Sequence, residues 1–225
     1  MSDSKKPLRA LRVTPQPVLK LGRAEHTRAA ILNAAFDFVW KHPFRDMTVA
    51  TVMASTGVSR PAFYQYFNDL HEVMETLLLM LQDEILGVVQ PWVSGVGDPV
   101  ALLHESIDGL VHVCHQRGPF LRAITDAATT DKRFEEDWRK FLRRFDETVC
   151  ARIEADQAQS LIQAFDARPV AIALNRLDAY TLIEAFGRLP RKQPGPVQEA
   201  LARIWVSTLY GTERLAGESP PLVRE

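Results

Sequence analysis

Residues 48–67 read TVATVMASTGVSRPAFYQYF. Arg60 is the one charged side chain in the stretch, Gly57 lies near its centre, and the aromatics Phe63, Tyr64, Tyr66 and Phe67 close it. A solvated loop would carry more charge, so this segment has to pack. Thr48 stands as an N-cap before Val49, Val52 and Met53, which predicts a short helix. Gly57 supplies the left-handed residue that ends it. Ser59 caps a second helix, with Pro61 in the first turn, where a missing N–H is not felt. Val52, Met53 and Val58 turn inward, as do Phe63 and Phe67, four positions apart. Arg60, Ala62, Gln65 and the Tyr64/Tyr66 pair are left nearer the outer face. Apolar anchors behind and hydrogen-bonding groups in front are what a helix-turn-helix needs to enter a major groove. Arg60 suits a guanine or a phosphate, and Gln65 an adenine. The caps at Thr48 and Ser59 leave backbone N–H groups for phosphate oxygens. The plain alternative is a helical hairpin with aromatics in its core.

Working outward, Ala30, Ile31, Ala34, Ala35, Phe38 and Val39 recur at three and four, an amphipathic helix over 25–41 that Pro43 ends. Downstream, Val73, Leu77, Leu78, Leu81 and Ile85 form the inner face of a helix over 69–89 that Pro91 is expected to stop. Further helical patterns cover 99–116, 119–128, 131–158, 169–186 and 197–211, each bounded by Pro, Gly or Asp. No period-2 strand pattern occurs. The expectation is all-α, with about nine helices. The divisions are an arm over 1–23, a three-helix DNA-binding domain over 24–68, a larger body over 69–212 and a tail over 213–225.

The chain has 225 residues and a net charge of −1, which by itself says nothing of nucleic acid. Its distribution says more. Residues 1–66 hold ten Lys and Arg against four Asp and Glu, while the rest is acidic. A small basic module on an acidic body suits a polyanionic partner. The arm, with Lys5, Lys6, Arg9, Arg12, Lys20 and Arg23, reads as a flexible DNA-seeking segment or as a solubilising tail. Cys114 and Cys150 lie in apolar helical patterns and read as reduced, buried thiols. No apolar run is long enough to span a membrane, and the basic start lacks a following apolar core, so no membrane partner and a cytoplasmic location are expected. A Gly-rich phosphate loop, a nucleophile elbow and H-E-x-x-H are all missing, so neither an enzyme nor a cofactor is expected. The rival from another class is a metal-binding protein or hydrolase using His104, Asp108 and His112, spaced by four on one helix, with His115 nearby. A helical adaptor without a DNA role is a third reading.

The pattern T-V-x-x-V-M-x-x-x-G-V-S-x-x-x-F-Y-x-Y-F after an amphipathic helix resembles the N-terminal domain of the TetR family of transcriptional regulators. ALNRLDAYTLIEAFG (173–187) and RIWVSTLYG (203–211) resemble the branch typified by the mycobacterial ethionamide-resistance repressor. The resemblance implies a homodimeric repressor on a palindromic double-stranded operator. The DNA-facing positions it implies are Thr48, Ser59, Arg60, Pro61, Ala62, Tyr64, Gln65 and Tyr66. The family often has a Lys two residues before position 72; here Leu70 stands there, with His71 as a weak substitute for the phosphate contact. Dimerisation is implied through helices 169–186 and 197–211. They are apolar on more than one face, through Ile172, Leu174, Leu177, Leu182, Ile183 and Phe186, then Leu201, Ile204, Trp205, Leu209 and Tyr210. The body is expected to bind a small hydrophobic ligand with a polar handle. Asn175 and Asp178 would orient it; Trp138, Phe141, Leu142 and Phe145 would form an aromatic tube, Ile107, Leu110, Val111 and Cys114 the facing wall, and Trp205 one end. At Asp178 the relatives usually carry Asn.

Overall fold

The computed structural model describes residues 23–211, and every regular element in it is helical. The elements are α1 (Arg23–Val39), a 3-10 turn (Phe44–Asp46), α2 (Val49–Ala54), α3 (Arg60–Phe63), α4 (Leu70–Ser94), α5 (Pro99–Ala128), α6 (Lys132–Ala158), α7 (Ala167–Phe186) and α8 (Pro194–Leu209). Residues 1–22 of the arm expected over 1–23, and residues 212–225 with the expected tail over 213–225, lie outside the described residues.

Local chemistry sets most of the boundaries. Thr48 caps α2 through a reciprocal box: its Oγ1 accepts from the Thr51 N–H at 3.1 Å, and Thr51 Oγ1 accepts from the Thr48 N–H at 2.9 Å. Gly57 sits at φ +68°, the left-handed turn between α2 and α3. Asp69, Asp98, Asp131 and Asp166 cap α4 to α7, each accepting a first-turn N–H.

Two prolines correct the expected helix boundaries. Pro91 was expected to stop α4 and Pro119 to start a new helix, yet both lie inside continuous helices. Tertiary hydrogen bonds stand beside both. Around Pro91, Ser106 of α5 accepts from the Trp92 N–H at 3.1 Å and donates to the Val89 carbonyl at 3.2 Å. At Pro119 the carbonyl that loses its helical donor is that of His115, four residues back, and the Arg191 guanidinium donates to it. Joining 99–116 to 119–128 gives eight α-helices among the described residues, in keeping with the expected about nine.

In the N-terminal unit, Ile31, Ala35, Val52, Phe63 and Phe67 close a small core with Val73 and Met74 of α4. α5 is the central post of the body and packs against α4, α6, α7 and α8. It crosses α7 so closely at Gly118 that a Cβ there would stand 2.3 Å from the Phe186 carbonyl oxygen. A buried polar chain ties three elements together. Trp92 Nε1 donates to the Tyr210 hydroxyl at 2.8 Å, and that hydroxyl donates to Asp156 Oδ2 at 2.7 Å. Arg152 meets Asp156 Oδ1 at 3.0 Å and lies over the Trp92 ring. Burial and the Asp156 carboxylate push the Tyr210 phenol up, so it stays a donor.

Candidate functional site

The segment from Thr48 to Phe67, with the short α3 inside it, presents two different faces. Phe63 and Phe67 are fully buried, ring against ring at 5.9 Å, with the Arg28 guanidinium over Phe67. Thr48, Ser59, Arg60, Pro61, Tyr64 and Gln65 are exposed, while Ala62 and Tyr66 are half-buried, Tyr66 with its ring on the core. Arg60 has no ion-pair or hydrogen-bond partner among the described residues, so its charge is free to meet an anion. Ser59 holds the N-cap position without a side-chain cap bond, which leaves its hydroxyl uncommitted. Tyr64 is 53% exposed and stands edge-on to Phe63.

The residue after Leu70 behaves otherwise than expected. His71 points into the protein: its Nε2 lies 2.8 Å from Asp137 Oδ2 of α6, and its ring meets Phe134 edge-on. It is no substitute for the phosphate-binding Lys. Arg133 of α6 reaches the same turn, donating to Asp69 Oδ2 at 2.7 Å. The first turn of α4 is thus gripped by the first two turns of α6.

Further along, the same α6 face borders a cavity of about 90 Å³ in the body. Trp138, Phe141, Leu142 and Phe145 form one wall, and Ile107, Leu110 and Cys114 the opposite one. Asn175, Asp178 and Trp205 also line it. Val111 does not: it is buried but lies about 80° round α5 from the stripe of Leu103, Leu110 and Cys114, at 100° per residue. Sequence reading missed Trp92, because it follows the proline expected to end α4. It also missed Ala179 and Leu182, four residues beyond Asn175 and Asp178 on the same helix face, where the spacing was available.

The two polar residues sit differently. Asn175 Nδ2 donates to Asp146 Oδ1 at 3.0 Å, and Arg176 holds both oxygens of that carboxylate. Asp178 is buried and accepts from Trp205 Nε1 at 3.0 Å. Desolvation outweighs that hydrogen bond and pushes its carboxyl up to about 7. Desolvation, with Asp178 and Glu84 nearby, pushes the Cys114 thiol up, so it remains neutral.

The metal rival finds no support in the geometry. His104, Asp108 and His112 all lie on the exposed face of α5, and His112 Nε2 meets the Gln116 amide at 2.9 Å. The side chains whose ligand atoms do converge, among the described residues, are His71, Glu75 and Asp137. None of the helices among the described residues is long and apolar enough to cross a membrane.

Comparison with known proteins agrees with this geometry. Residues 31–75 match the tetR family of bacterial regulatory proteins, and residues 103–211 match the C-terminal domain of the transcriptional regulator EthR. The HTH-type transcriptional regulator EthR of Mycobacterium tuberculosis is 26% identical over 189 residues, covering 82% of this chain and 88% of that protein. The EthR of Mycolicibacterium smegmatis is 28% identical over 194 residues, covering 82% and 86%. The fold matches a TetR-family transcriptional regulator from Syntrophomonas wolfei with a TM-score of 0.69 at 17% identity, over 87% of this chain and 97% of that one. It matches Salmonella enterica GusR with the same score at 20% identity, over 84% and 98%. An exposed polar face on a helix anchored by Phe63 and Phe67, a helical body behind it, and matches that run through both parts lead to one conclusion: this chain is a DNA-binding transcriptional regulator of the TetR family, with a C-terminal domain of the EthR type.

Proposed function

We propose that the chain is a homodimeric repressor whose operator affinity falls when a small apolar molecule with a polar handle enters the body cavity. In this reading residues 24–68 form the reading head and residues 69–212 the sensing and dimerising body. Thr48, Ser59, Arg60, Pro61, Ala62, Tyr64, Gln65 and Tyr66 face the DNA. Two heads locked one helical turn apart, about 34 Å, read both halves of a palindrome and add their binding energies. Tyr180 of α7 is 74% exposed and Ile204 of α8 37% exposed, which supports pairing through these two helices.

The observation that carries the sensing role is the course of α4. Val73 and Met74 pack into the head core, and Ile85, Val89 and Trp92 line the cavity of the same helix. About 24 Å of continuous helix separates Val73 from Val89. The cavity is small, so a ligand of ordinary size has to push its walls apart. Displacing α4 or α6 then tilts the head. A coupling of about 1–3 kcal/mol lowers operator affinity roughly 5- to 150-fold.

Fluorescence anisotropy on a duplex carrying an inverted repeat from beside the protein's own gene tests both halves. Specific binding should weaken steeply with salt as phosphate counterions are released. Ala179→Leu, which fills the cavity without removing a hydrogen bond, should keep duplex binding and abolish the ligand response. A salt-insensitive or absent duplex complex would overturn the reading.

A further inference from the structure

The cavity surface is almost wholly apolar, but a few polar side chains line it. Its polar groups are sorted by sign. Ser106 spends its hydroxyl on the Val89 carbonyl, and Thr148 donates to the Arg144 carbonyl. Trp205 Nε1 is committed to Asp178 Oδ1. Asn175 must turn its amide nitrogen toward Asp146, because that carboxylate accepts and cannot donate. What remains on the two cavity-lining residues of α7 is Asn175 Oδ1 and Asp178 Oδ2, on side chains three residues apart, neither with a donor among the described residues. Two acceptors, one of them a carboxylate, face walls built from the rings of Trp138, Phe141, Phe145 and Trp205. Aromatic faces attract a cation, and a carboxylate deprived of water gains most from one.

We propose that the cavity takes a small organic amine, an aromatic or alkyl body ending in a protonated nitrogen that pairs with Asp178. This assignment rests on the sensing role proposed above and names the class of molecule sensed. The ammonium replaces the hydration that Asp178 lacks, donates a second hydrogen bond to Asn175 Oδ1 and leaves the apolar body against the rings. A neutral isostere gains only the apolar contacts. A carboxylate is repelled.

The pH dependence follows from the groups around Asp178. Of the residues facing it, Cys114 of α5 stays neutral, Trp205 of α8 and Asn175 of α7 do not titrate, and the α4 and α6 walls are apolar or hydroxyl-bearing. Asp178 is therefore the group that titrates, with its carboxyl near 7. Pairing with an ammonium requires the ionised form, so binding below that pH releases a proton. Amine affinity should then fall by up to about tenfold for each pH unit lost.

Calorimetry and operator release with phenethylamine, phenethyl alcohol and phenylacetate on the full chain test the idea. The amine should bind at least tenfold tighter than the alcohol at pH 8, with the margin narrowing at pH 6. Asp178→Asn keeps an acceptor for Trp205 and should erase the margin while still admitting the alcohol. Should that variant fail to fold, the wild-type heats serve instead: at pH 6.5 the amine enthalpy should vary with the buffer's ionisation enthalpy, and the alcohol enthalpy should not. Equal binding of amine and alcohol, retained preference in Asp178→Asn, or no binding by any probe overturns the amine assignment. If amine and alcohol bind alike and both release the operator, sensing stands and the amine assignment falls. If the amine is preferred without loosening the operator, the ligand class stands and sensing falls.

Discussion

His71 Nε2 and Asp137 Oδ2 stand 2.8 Å apart, joining the first turn of α4 to α6 where both side chains are mostly buried. One turn beyond Asp137 on the same helix face, Phe141 joins Trp138 and Leu142 in the cavity wall. Any ligand that shifts α6 therefore pulls on the helix that carries the reading head. Asp137→Ala should cut this connection. The ligand-dependent loss of operator affinity should shrink, and removing one partner of a buried pair should cost about 1–3 kcal/mol of stability. Anisotropy with and without ligand, together with denaturant titration, reads both effects.

The two faces of α3 should separate binding from folding. Arg60 is exposed and unpartnered, so Arg60→Ala should weaken operator binding by about 1–3 kcal/mol and leave the melting temperature nearly unchanged. Phe63→Ala should do the reverse first, costing about 3–5 kcal/mol because the ring is fully buried. Calorimetric melts beside duplex titrations distinguish the two; equal affinity in Arg60→Ala would remove it from the interface.

Asp178 should give stability a pH dependence of its own. Its folded carboxyl, near 7, lies above its ordinary value of 3.8. Between those values the native state holds more protons than the unfolded chain, so this group's contribution falls as pH rises through the window and is flat above it. Asp178→Asn lacks the penalty. The variant should match wild type near pH 4 and exceed it at pH 8 by a few kcal/mol at most. Melts across that range check the sign.

Ser106 should prove to be a structural keystone of α4. Ser106→Ala removes the acceptor of the Trp92 N–H and a donor to the Val89 carbonyl beside Pro91. The expected cost is about 1–3 kcal/mol. Hydrogen exchange should show the Trp92 amide losing protection before the rest of the body.

The helix-turn-helix was legible because its determinants are local. Thr48 with Thr51, Gly57 at positive φ, Pro61 in a first turn and the Phe63/Phe67 spacing act within a few residues of one another. The same holds for the Asp caps and for the stripe from Trp138 to Phe145. Local propensity and periodicity are properties of the chain itself. Tertiary structure alone decided that α4 passes Pro91 and α5 passes Pro119, because the rescuing groups, Ser106 and Arg191, come from elsewhere in the chain. It alone turned His71 from a phosphate contact into an inward partner of Asp137, and placed Val111 beside the cavity stripe instead of on it. The physical reason is common to these cases: a buried polar group must be paired, and only the packed fold determines which partner stands within reach.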